Sequence, residues 1–81
     1  MVELDTLITV LNEYLEGKAP IEKIEQATTP FIVNDESMLK DEELSRIIYI
    51  LDMQDLENLE RQDIVRLRDE LLAFQKKETR H

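Results

Sequence analysis

The chain offers few groups that could do covalent chemistry. It has one histidine, His81, the last residue, and no cysteine. A terminal imidazole has no neighbour to hold it in one orientation, and Ser37 and Ser45 have no histidine placed to deprotonate them, so a nucleophilic mechanism of the common kinds lacks its base. The abundant acids are the other candidates, as metal ligands. A calcium loop needs oxygen donors at alternating positions, a glycine at the sharp turn and a closing glutamate. The acidic stretch from Asn34 to Glu43 has no glycine and puts Met38 and Leu39 where ligands belong, and Asp52-Met53-Gln54-Asp55 fails in the same way. A single glycine in 81 residues cannot build a phosphate cradle either. The sequence therefore predicts no catalytic residue, no metal site, no cofactor and no small-molecule substrate.

What remains is charge and surplus apolar surface. The formal net charge is −9, and it is unevenly placed: residues 1–60 carry 15 acids against 4 bases, whereas residues 61–81 carry 4 acids against 6 bases. A negative field of that size opposes nucleic-acid phosphates and anionic membrane surfaces, so neither is an expected partner. It suits a solvated surface, or a face that docks on a basic protein. Asp41, Glu42 and Glu43 are the acids picked out for such a face. Arg61, Arg66 and Arg68 alternate with Asp63, Asp69 and Glu70, which reads as a salt-bridged helix surface.

The most apolar run, Leu44 to Met53, supplies the other candidates. On a helix Leu44, Ile47, Ile48 and Leu51 fall in one arc of about 100°, the width of a core-facing stripe. Tyr49, Ile50 and Met53 fall outside it, and Tyr and Met are enriched at protein interfaces. With Val65 and Leu72 farther along the chain, they form a candidate seam for a partner, including a second copy of the chain.

These residues need helices to position them. Hydrophobic residues make up 42% of the chain and aromatics only 5%, a balance that favours helix over strand. Leu4, Leu7, Ile8, Leu11, Tyr14 and Leu15 recur at helical spacing and predict a first helix over 3–15, ended by Gly17. Pro20 opens a second helix over 20–28. It should end before Pro30, which disfavours helical geometry at Thr29, leaving Phe31-Ile32-Val33 to plug the core from a loop or a helical turn. Met38 and Leu39 are out of phase with the Leu44 stripe, so a break is placed near Leu39 or Lys40 and a third helix over 41–53, with Glu42 and Arg46 spaced to pair. Ile64, Leu67, Leu71 and Phe74 mark a fourth helix over 60–76, preceded by a turn with Leu56 and Leu59 beneath it and Asn58 as its N-cap. Lys76, Lys77 and Arg80 suit the negative end of that helix. The expected fold is all-α, a single acidic domain built as a compact four-helix bundle or helical array, centred on Leu7, Leu11, Ile24, Phe31, Ile47, Ile48, Leu51, Ile64, Leu67 and Leu71.

Two resemblances bear on function. Glu36-Ser37-Met38 superficially resembles the Asp-Ser-Leu of acyl carrier proteins, which are acidic four-helix domains of this size. The glycine that precedes the motif there is absent here and the apolar phase after Ser37 differs, so no prosthetic group is assigned to Ser37. In size, charge and helicity the chain is also similar to the small acidic immunity proteins that cover basic nuclease surfaces. Their tyrosine-rich recognition segment has no counterpart, since Tyr14 and Tyr49 are the only tyrosines. The functional expectation is a non-enzymatic protein-interaction module, with an acidic neutraliser of a basic partner (immunity protein, antitoxin or nucleic-acid mimic) as the alternative. The lack of cysteine, of a basic leader and of a long apolar span makes the cytoplasm the expected location.

Overall fold

In the computed structural model, four helices account for nearly all of the described residues, which are 2–33, 42–53 and 58–78, with the side chains of Val2, Met53 and Glu78 outside the description. In chain order they are α1 (Val2–Leu15), α2 (Ile21–Val33), α3 (Glu42–Met53) and α4 (Arg61–Glu78). No strand occurs among the described residues. Each helix packs on two others, α1 against α2 and α4, and α3 against α2 and α4, so the four close into a ring around one core. The whole measures 34 × 23 × 18 Å.

The core is the set of apolar stripes read from the sequence. Leu4, Leu7, Ile8, Leu11 and Leu15 come from α1, Ile24, Ala27 and Phe31 from α2, Leu44, Ile47, Ile48 and Leu51 from α3, and Ile64, Leu67, Leu71 and Phe74 from α4. All are buried, including every residue placed at the centre by periodicity. Each such leucine, isoleucine or phenylalanine contributes roughly 1.5–3 kcal/mol relative to exposure.

Helix ends follow local chemistry. Gly17 has φ +78°, the left-handed conformation that closes a helix, and Lys18 N–H donates to the Glu13 carbonyl (2.8 Å) while Gly17 N–H donates to that of Tyr14 (3.0 Å). This crossed pair is the Schellman motif, and glycine is needed because a Cβ would strain the backbone there. At α4, Glu60 is the N-cap, two residues later than the Asn58 expected from sequence. The Glu60 carbonyl receives the Asp63 N–H (3.0 Å) and the Asp63 carboxylate takes the Glu60 N–H (3.1 Å), the back half of a capping box.

α2 departs most from expectation. It runs through Pro30 to Val33 rather than stopping near Thr28. The reason lies in Phe31, which is buried and shares a face with Ile24, Ala27 and Thr28 only if the helix continues, at spacings of three and four. Upstream of the proline, the Thr28 and Thr29 hydroxyls donate to the carbonyls of Ile24 (2.7 Å) and Glu25 (3.0 Å). Ile32 and Val33, expected to enter the core with Phe31, are instead exposed, because the helical turn rotates them to the solvent side. The break near Leu39 or Lys40, the Leu56 contact, and Ser37, Asp41, Arg80 and His81 lie outside the described residues.

Candidate interaction surface

α3 presents three sides. Its core stripe faces inward, one flank meets α4, and the side opposite the core carries Tyr49. Of the four aromatic residues in the chain, Tyr49 alone is exposed, at 62%, while Phe31 and Phe74 are buried and Tyr14 packs at the edge of the core. Ile50, one position and about 100° further round, is half-buried and packs on the core margin. Glu42 and Glu43 are exposed in the first turn of α3, where carboxylates favour the positive end of the helix dipole. The Met53 side chain and Asp41 fall outside the description.

Beside Tyr49, the flank of α3 that meets α4 forms a groove with a cavity of about 300 Å³. Ile50, Leu59 and Leu67 supply its apolar lining, and Arg46, Asp63, Arg66 and Glu70 supply charge. Two arginines and two acids make this lining neutral in a chain of net charge −9. Arg46 donates through Nη2 to Glu70 Oε1 across the groove at 3.1 Å, not to Glu42 as spacing alone suggested. Arg46 and Glu70 are 53% and 31% exposed, so this pair fixes position more than it stabilises. Glu70 Oε2 is buried and receives no hydrogen bond among the described residues. A carboxylate oxygen in that state is an acceptor short of a donor.

The sequence singled out Tyr49 and Ile50 but missed the groove beside them. Its signal was present: Asp63, Arg66, Leu67 and Glu70 recur at i, i+3, i+4 and i+7, and Arg46 and Ile50 at i and i+4. On sequence alone Asp63, Arg66 and Glu70 read as part of a salt-bridged helix surface, Leu67 as core and Arg46 as the partner of Glu42, because which α4 residue faces Arg46 depends on the register between α3 and α4.

The other arginines of α4 are structural. Arg61 donates through Nη2 to the Leu15 carbonyl at the end of α1. Arg68 donates to Asn12 Oδ1 (3.0 Å) and pairs with Asp69 (3.0 Å). Gln75 donates to Asp5 Oδ1. Partners rise along α1 as they fall along α4, so the two helices are antiparallel and stitched along one edge.

Among the described residues no group of three or more His, Cys, Asp or Glu side chains is placed to hold a metal ion, and no helix is long and apolar enough to cross a membrane. Comparison with family models, curated proteins and solved structures finds no match to the chain.

Proposed function

We propose that this chain is a non-enzymatic protein-interaction module that meets its partner through the outer side of α3 and the groove between α3 and α4. The observation that carries this reading is the pairing of an exposed aromatic anchor, Tyr49, with an adjacent groove lined by both apolar and charged side chains. Interfaces take their energy from such arrangements, an aromatic or aliphatic anchor in a pocket surrounded by polar groups. The partner is a protein, either a different chain or a second copy of this one, and the cytoplasm, a reducing compartment, is the location proposed for a chain without cysteine.

The test is a photo-crosslinking amino acid placed at position 49 in one variant and at position 25 in another, both made in the protein's own cells. Glu25 is also exposed but lies on α2. Adducts formed at position 49 and not at position 25 support the reading; equal yields or none at 49 contradict it.

A second reading rests on a different observation. Glu3, Asp5, Glu16, Glu22, Glu25, Glu42, Glu43 and Asp52 are all exposed on α1 to α3 and the turn after α1, while the described bases concentrate on α4. That surface suits a basic protein partner, as expected of a neutraliser. Reversing the charge of Glu42 and Glu43 then weakens binding, and unaltered binding of the basic partner counts against this face.

A further inference from the structure

We infer that the side of α3 carrying Tyr49 receives the arginines of a basic partner protein, with one guanidinium stacked on the Tyr49 ring and paired with Asp52, and a second cation paired with Glu42. This rests on the interaction reading above and goes further by stating the partner's chemistry.

Position on one helix brings the three residues together. By helical geometry Glu42 lies about two turns before Tyr49 and about 20° round the axis from it, and Asp52 about one turn after and about 60° round. All three are exposed. Neither carboxylate has a hydrogen bond or ion pair among the described residues, nor has the Tyr49 hydroxyl a partner there. The one cation of α3, Arg46, is already held by Glu70 at 3.1 Å. An aromatic ring between two carboxylates without a counterion is what this side offers a partner.

Arginine suits that arrangement better than lysine. Its planar guanidinium stacks on an aromatic face within about 6 Å of the ring centre, and its fork of donors can engage a carboxylate at the same time. Asp52, about 4.5 Å along the axis from Tyr49, is within reach of a guanidinium so placed. Glu42, about 10 Å the other way, takes a cation of its own, so the partner presents at least two. Complementarity extends beyond α3. Residues 1–60 carry 15 acids against 4 bases, a field that draws a basic surface in and opposes an acidic one, including a second copy at −9.

The probe is a short capped peptide of alternating arginine and alanine, with a lysine counterpart, titrated into the isotope-labelled full chain at about 0.15 M salt. Amide shifts should concentrate between Glu42 and Asp52, and the arginine peptide should bind more tightly than the lysine one. Tyr49→Ala should weaken arginine binding about threefold or more, as expected for a cation over an exposed ring, and bring the two peptides level. Glu42→Gln with Asp52→Asn should also weaken it about threefold or more, the sum of two exposed pairs. Glu22→Gln with Glu25→Gln removes the same charge from exposed positions of α2 and should cost less than about twofold, the share due to the general field alone. Circular dichroism melts of these variants should match the wild type, since every altered position is exposed. Equal losses from the two charge pairs, or no loss from Tyr49→Ala, overturn the inference, as does equal binding of the two peptides to the wild type. Crosslinks from position 49 that reach a second copy, or a protein segment without arginine or lysine, overturn it and leave the interaction reading standing. No crosslink from position 49 overturns both.

Discussion

Arg61, in the first turn of α4, donates through Nη2 to the carbonyl of Leu15, the last residue of α1. That bond completes the end of α1. Its last four carbonyls have no partner within the helix, and each finds one elsewhere: Asn12 from Glu16 N–H, Glu13 from Lys18, Tyr14 from Gly17, and Leu15 from the guanidinium. The positive charge also sits at the negative end of the α1 dipole. Replacing Arg61 by Met keeps most of the stem and removes the donors. It should lower stability by about 1 kcal/mol in urea unfolding, in the range for a part-exposed bond from a charged donor. No change in the midpoint would show that the contact holds nothing.

Gly17→Ala tests the other half of the same helix end. A Cβ at position 17 meets nothing within 4 Å, so the cost is conformational alone, about 1 kcal/mol for an L-residue held in the left-handed region. In a domain of this size the melting temperature should fall by about 4–8 °C. Crowding plays no part, so Gly17→Asn, which tolerates that conformation better, should lose less than Gly17→Ala. Equal losses would remove the explanation.

Pro30→Ala should stabilise. Pro30 is exposed inside α2, where it withholds a hydrogen bond from the Gln26 carbonyl at a cost of about 3 kcal/mol. The stiffness that proline gives the unfolded chain offsets up to about 1 kcal/mol of that. A net gain of about 2 kcal/mol is the expected outcome of denaturant titration, and a loss would mean that the proline shapes the helix to the core.

The core stripes of all four helices were readable because periodicity depends on one helix at a time. Gly17 as a helix end was readable for the same reason, since its conformation is local. The passage of α2 through Pro30 was not, because local sterics argue against it and only the tertiary burial of Phe31 decides for it. Arg46 and Glu70 illustrate the same limit from the other side. Each had a plausible partner on its own helix, and the register that joins them across the groove is a property of the assembled bundle. Tyr49 was legible as an outlier from its own stripe; the groove next to it needed two helices in place.

Salt separates the partner classes by sign. Self-association works against the mutual repulsion of two acidic chains, so added salt should tighten the dimer. A basic partner drawn to the acids of α1 to α3 should instead bind more weakly as salt rises. Affinities at about 0.05 M and about 0.5 M salt, with Debye lengths above and below about 10 Å, give the slope; binding that loosens with salt would point to a basic partner rather than a second copy.

The central claim is that α3 meets its partner through the side that carries Tyr49, and site-specific photo-crosslinking from position 49 against position 25 tests it most directly. Adducts at 49 that map to one protein, with none at 25, are the predicted result. Comparable adducts at both positions, or none at 49, would contradict it.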